Sequence, residues 1–273
     1  MIDGHVHIWA LDPARYPWQQ TLAHVPIPDA PAGAEMLMEA MDAAGVSHAI
    51  LVQPSVYGWN NGYMCDCLDR WPGRFAAICL VDPRSADAAR QLQHWVGERG
   101  CCGVRINLIS EPDAAWIQAD SRTALWEMAA GLEVSISLQM RPRHVDAVAG
   151  LAARYPDTPF VVDYLGTEAF HDGSGPEALA KLAARPNMNY KILTLGQDSK
   201  QSYPYEDLRP LYAEAYRRFG RERLVFGTDF PHVLGHGSYA EGMAWIETLP
   251  FLDAAARGYA TDANARRLWR LAD

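Results

Sequence analysis

The sequence has no paired cysteine motif, no long apolar run, no surplus of positive charge and no glycine-rich phosphate loop. Its five cysteines, Cys65, Cys67, Cys79, Cys101 and Cys102, show no C-x2-C spacing. That excludes the common zinc-ribbon and dithiol redox motifs. Five is an odd and small number for 273 residues, so reduced thiols in a cytoplasmic protein are expected rather than a disulfide framework. Lys and Arg number 24 against 33 Asp and Glu, a net charge of −9 that argues against nucleic acid or an anionic membrane as partner. No apolar run approaches the ~18 residues of a membrane span. Met1-Ile2-Asp3-Gly4-His5 opens with neither a basic stretch nor an apolar one, so no secretory leader is expected. No G-x-G-x-x-G or P-loop follows the first apolar run, which disfavours an open dinucleotide-binding sheet. No linker, low-complexity tract or long repeat divides the chain, and residues 1–273 read as one domain.

What the sequence does have is a regular alternation. Short apolar runs near Ile2–Ile8, His48–Gln53, Phe75–Val81, Gly103–Leu108, Glu133–Gln139, Phe160–Leu165, Met188–Leu193 and Leu224–Phe230 read as strands. Several are rich in Val, Ile and Phe, the composition of buried parallel strands. Between them lie amphipathic segments, among them Ala34–Ala44, Asn61–Trp71, Ser85–Arg99, Arg143–Arg154 and Tyr205–Phe219. Eight such repeats predict an α/β fold, a single (β/α)8 TIM barrel, which typically needs about 250 residues.

In such a barrel the chemistry sits at the C-terminal ends of the strands. His5 and His7 lie two apart on the first strand and so share a face. Asp229 ends the last run, just before Phe230-Pro231-His232. First and last strands are neighbours in a closed barrel, so the three side chains should converge. They could hold one divalent metal, and Asp229 could instead take a proton from water. Arg105 and Asn107 share a face at the end of their strand, and the planar guanidinium suits a carboxylate. Lys191 is unusual inside an apolar strand and reads as a pocket residue. Tyr57, Trp59, Asn60 and Asn61 form a polar, aromatic loop that could wall a pocket for a ring-shaped ligand. His232 could orient Asp229 or touch substrate, and Arg141, Arg143 and Arg209 are looser candidates. His24, His48, His94, His144, His171 and His236 have no convergent partner and read as surface or structural.

Ile2-Asp3-Gly4-His5-Val6-His7-Ile8-Trp9 together with Gly227-Thr228-Asp229-Phe230-Pro231-His232 resembles the amidohydrolase superfamily. Leu51–Gly58, Gly103–Asn107, Phe160–Asp163, Asn187–Lys191 and Asn264–Leu268 narrow the resemblance to the amidohydrolase-2 group, which includes lactonases of sugar acids and of a pyrone dicarboxylate. The resemblance implies water attack on a lactone carbonyl, with Asp229 as general base and His5 and His7 polarising the carbonyl or holding a metal. It implies a carboxylate-bearing lactone as substrate, with Arg105 as its clamp and Asn107, Tyr57, Asn61, Gln139, Arg141, Lys191 and His232 around it. The cofactor is either none or one zinc or manganese ion. Where the group usually has Asp-His, this chain has Asp163-Tyr164. A phenol with an unperturbed pKa near 10 is a poor ligand for a divalent metal at neutral pH, so Tyr164 reads as an oxyanion donor or a substrate contact. Gln139 ends the fifth strand and no bridging lysine or further histidine is evident, so a binuclear centre is not expected. A lactone isomerase, a metal-dependent decarboxylase or hydratase, and a non-catalytic binding barrel are the rival readings. A homo-oligomer is compatible with the sequence.

Overall fold

The computed structural model describes residues 1–271. Eight strands lie in one sheet in sequence order: β1 (Ile2–Val6), β2 (His48–Val52), β3 (Phe75–Leu80), β4 (Gly103–Asn107), β5 (Ser135–Gln139), β6 (Phe160–Tyr164), β7 (Met188–Leu193) and β8 (Leu224–Gly227). Each pairs in parallel with the next. The sheet closes where Asp229 N donates to His5 O at 3.0 Å and His7 N donates to Phe230 O at 2.7 Å. The result is the expected (β/α)8 barrel. The first and last strands, β1 and β8, are shorter than the apolar runs Ile2–Ile8 and Leu224–Phe230. Asp229 has φ 60, a left-handed conformation that ends the extended ladder of β8 before Phe230.

The β1–β8 seam depends on two glycines. A Cβ on Gly4 would lie 2.3 Å from Val225 Cγ1, and one on Gly227 would lie 2.7 Å from His5 N. Asp3 ties the same seam from below, accepting from Thr228 N at 2.9 Å and Thr228 Oγ1 at 2.6 Å.

Helices cover the outside of the sheet because each carries one apolar stripe. Ala34–Ala43 buries Ala34, Leu37 and Met41, and Arg209–Phe219 buries Leu211, Tyr212, Ala215 and Phe219. The segment expected as one helix from Ser85 is α-helical only over Ala88–Gln93 and then widens into a π-helical turn, His94–Glu98. A four-residue helix after β6, Glu168–His171, has too few residues to show a period in the sequence. Inside the barrel, Ile2, Ile50, Val52, Ala76, Ile78, Val161 and Val225 fill the lower layer. Helix Asn264–Trp269 closes the bottom, placing Ala265, Leu268 and Trp269 against that layer. The lower half is therefore largely an apolar plug, with Ser135 accepting from Trp269 Nε1 at 3.0 Å, and His5, His7 and Asp229 gather above it. Among the described residues, no helix is long and apolar enough to cross a membrane.

Candidate active site

His5 and His7 point to the top of the barrel from β1 and its extension, with their Nε2 atoms 3.2 Å apart. Neither is free to rotate. His7 Nδ1 lies 2.7 Å from the carbonyl oxygen of Val52, which only accepts, so Nδ1 carries the hydrogen and Nε2 presents a lone pair. His5 Nδ1 lies 3.1 Å from Lys191 Nζ, an ammonium that only donates, so the neutral ring carries its hydrogen on Nε2. Asp229 Oδ1 completes the group, 3.7 Å from His5 Nε2 and 3.5 Å from His7 Nε2. Asp229 Oδ2 accepts from Gln197 Nε2 at 3.1 Å.

Below this group lies a buried charge cluster. Asp163 Oδ1 is 2.8 Å from Lys191 Nζ, and its Oδ2 is 3.2 Å from Arg105 Nε. Sequence reasoning singled out Tyr164 and passed over Asp163. Alternation would turn these neighbours to opposite faces, but the β5–β6 register slips between Leu138↔Val162 and Gln139↔Tyr164. A register irregularity of this kind re-aims side chains, here bringing Asp163 under the site and Tyr164 to its wall. The two carboxylates Asp163 and Asp229 balance the two cations Lys191 and Arg105. Burial pushes the pKa of Asp229 up, against the pull of His232 and Arg105. Burial pushes His5 and His7 well below the usual imidazole range, helped at His5 chiefly by Lys191 and at His7 by Arg105. Both rings are therefore neutral at pH 7.

Above the group opens a cavity of about 660 Å³, whose walls include His5, His7, Trp9, Arg105, Gln139, Tyr164, Gln197, Asp198, Asp229 and His232. This gathers His5, His7, Arg105, Gln139, Tyr164, Asp229 and His232 from the sequence expectations. The His232 ring centroid is 5.9 Å from that of His7 and 6.2 Å from that of Trp9.

The other expected pocket residues lie elsewhere. Tyr57 is buried, stacks on Trp18 with centroids 4.5 Å apart, and donates its hydroxyl to Ala10 O. Asn61 braces the chain around β3, giving its amide hydrogens to Trp59 O and Leu80 O and accepting from Leu80 N. Both sit behind the loop that forms the wall, where a polar loop pattern cannot be told from a wall itself. Asn107 lines a smaller neighbouring cavity of about 190 Å³. Arg141 is held at the rim by Ile109 O and Glu168, and Arg143 by Glu111 O. Arg209 pairs with Glu206. Lys191 is fully buried beneath the histidines and does not line the cavity. Its strand position was informative, but its length carries the ammonium inward to Asp163.

Gln197 and Asp198 were not anticipated. They follow β7 in Leu195-Gly196-Gln197-Asp198, a polar pair just past a strand's C-terminal end, which is the signal that could have found them. His171, expected to be structural, braces this turn through Nε2 to the Asp198 carbonyl at 2.8 Å.

The donor atoms fit a single metal ion by shape. His5 Nε2, His7 Nε2 and Asp229 Oδ1 form a triangle with sides of 3.2, 3.7 and 3.5 Å. The point equidistant from all three lies about 2 Å from each, the length of a zinc–nitrogen or zinc–carboxylate bond. Two imidazoles and one carboxylate, with the fourth direction open to the cavity, are a donor set that a catalytic zinc accepts. An ion there would have to displace the hydrogen from His5 Nε2.

Comparison with known proteins places this geometry. The amidohydrolase family model matches residues 2–271. The chain belongs to the amidohydrolase family. It is 28% identical to the L-fucono-1,5-lactonase of Burkholderia ambifaria over 99% of this chain and 95% of the other. It is 26% identical to the 4-sulfomuconolactone hydrolase of Hydrogenophaga intermedia, over 84% of this chain and 74% of the other. Among solved structures, a probable 2-pyrone-4,6-dicarboxylic acid hydrolase from Acinetobacter baumannii superposes with a TM-score of 0.83 at 19% identity, over 98% of each chain. An amidohydrolase from Burkholderia multivorans, solved with bound zinc, superposes with a TM-score of 0.78 at 24% identity, over 99% of each chain. These structural likenesses extend the barrel of this amidohydrolase to its neighbours.

Proposed function

We propose that this amidohydrolase opens a lactone of a hydroxy acid by attack of water on the ring carbonyl. The observation that carries the reading is Asp229 itself: a buried carboxylate with one oxygen held by Gln197 and the other turned to the histidine pair on the cavity floor. Lactone-opening relatives at 28% and 26% identity support the substrate class.

In this reading Asp229 Oδ1 takes a proton from water as the oxygen adds to the carbonyl carbon. His7 Nε2 takes the Nε2 hydrogen of His5 at 3.2 Å, which holds the two rings together on the cavity floor beside that water. Negative charge then gathers on the former carbonyl oxygen, and the Arg105 guanidinium stabilises it. When the ring C–O bond breaks, the electron pair leaves with the ring oxygen. The proton held by Asp229 passes to that alkoxide and restores the base. His5, His7 and Asp229 are also the residues that would hold one zinc or manganese ion, which when bound would polarise the carbonyl as a Lewis acid. An acid group on the substrate would find its partner in Arg105, the one arginine that lines the cavity among the described residues.

Asp229→Asn tests the reading. The amide keeps the shape and loses the base, so turnover of lactones should fall at least ~100-fold while the ring-opened acid still binds. Retained turnover would remove Asp229 from the base role.

A further inference from the structure

One wall of the cavity carries Tyr164 and Asp198 side by side, linked through Thr167. Asp198, 9% exposed, accepts the hydroxyl of Thr167 on Oδ1 at 2.6 Å. A carboxylate only accepts, and Thr167 has one hydroxyl hydrogen. Thr167 Oγ1 therefore receives at its second contact, 2.8 Å from the Tyr164 hydroxyl oxygen. Tyr164 in turn gives its single hydroxyl hydrogen to Thr167. What the phenol keeps for the cavity is a lone pair. Burial, reinforced by Asp198, pushes its pKa far up, so the phenol stays protonated and the direction of the chain holds. Two further acceptor atoms on residues of the same wall, Asp198 Oδ2 and Gln139 Oε1, are buried without any hydrogen-bond partner.

We propose that this wall reads a hydroxyl group of the substrate, so that the site selects a polyhydroxylated, sugar-type lactone over an unsaturated or carboxylated ring at this position. Tyr164 accepts the substrate hydroxyl, and Thr167 and Asp198 are positioning residues that fix the direction of that bond. The proposal rests on the lactone-opening reading above. It also replaces the expectation that Tyr164 donates to an oxyanion, because its hydrogen is already given to Thr167. A substrate carboxylate placed here would meet lone pairs and be repelled.

The test compares a hydroxylated δ-aldonolactone with δ-valerolactone, the unsubstituted ring of the same size. A site built to bond a substrate hydroxyl should favour the first in kcat/KM by ~100-fold or more. Tyr164→Phe removes the acceptor, and Thr167→Val breaks the chain and frees the phenol to donate. Each should cut that preference about tenfold, chiefly through KM for the hydroxylated ring, and leave δ-valerolactone within about threefold. Equal losses on both rings in Tyr164→Phe would make Tyr164 an oxyanion donor and overturn the proposal. An unchanged preference in both variants would overturn it too. If the wild-type protein opens neither ring, the lactone-opening reading fails, and the wall is judged by calorimetric Kd values for the matching lactams. Tighter binding of the hydroxylated lactam that Tyr164→Phe abolishes sustains the proposal, and equal Kd values sink it.

Discussion

Gln197 grips the oxygen of Asp229 that faces away from the histidines, donating to Oδ2 at 3.1 Å while Oδ1 stands 3.5 Å from His7 Nε2. One carboxylate oxygen is thus a handle and the other is free to receive a proton. The handle also favours the ionised form, opposing the burial that raises the pKa of Asp229.

The pH profile follows from this balance. As the proposed base, Asp229 must be ionised, and its pKa is raised, so activity should be lost as pH falls through a value above the ordinary ~3.9 of aspartate. Gln197→Leu removes a bond that favours the charged form, so the acid limb of kcat/KM should move to higher pH, with a fall of about tenfold at the plateau. A pH–rate profile of both proteins checks this, and a limb that stays in place would remove Gln197 from contact with the base.

Lys191→Met addresses the cluster beneath the histidines. It leaves Asp163 with only Arg105 as cationic partner and removes the donor that sets the hydrogen on His5. Removing one partner of a buried ion pair costs about 3–5 kcal/mol, and the remaining Arg105 should hold the loss near the lower figure. Urea unfolding should show a lower midpoint with an unchanged slope, and kcat should fall together with stability.

Gly227→Ala separates packing at the seam from general damage. A Cβ there would lie 2.7 Å from His5 N and 2.8 Å from His5 Cβ, whereas a Cβ on Gly258 meets nothing within 4 Å. Overpacking of this kind costs about 1–3 kcal/mol, and here the strain falls on a strand that carries His5. Gly227→Ala should therefore lower kcat more than about tenfold, since small misplacements near the chemistry are costly. Gly258→Ala should leave it unchanged. Similar kcat values in the two variants would show that β1 yields without disturbing the site.

The charges on the floor of the site balance without an added cation, Asp163 and Asp229 against Lys191 and Arg105 with His5 and His7 neutral, while Asp198 stands apart on the wall, bonded to Thr167. Exhaustive chelation should thus leave lactone opening within about twofold, since the base and the oxyanion donors remain in place. A loss beyond tenfold that zinc restores would make the ion a working part of the centre.

The barrel was legible because its signal is redundant: eight apolar runs alternating with stripes that bury residues such as Leu37 and Met41 or Tyr212 and Phe219. His5, His7 and Asp229 were legible because period-two alternation and barrel closure together fix where they point. The seats of Tyr57 and Asn61 were not, since a loop's own sequence does not say which of its faces meets the cavity. Asp163 was hidden by the register slip beside Gln139, and Lys191 by a side chain long enough to reach away from the pocket that its strand position implied. The hydrogen-bond direction from Tyr164 to Asp198 depends on Thr167, 31 residues before its partner, a pairing that no local pattern announces.

The seam between β1 and β8 has a consequence for biosynthesis. His5 leaves the ribosome before Asp229, which follows only after strands β2 to β8 have been translated. No nascent fragment that lacks the last strand can possess the proposed base, however well its earlier strands have folded. His5, His7 and Asp229 thus come together at the closing step of the barrel, and on the proposed mechanism a fragment that ends before β8 would carry both imidazoles without hydrolytic activity.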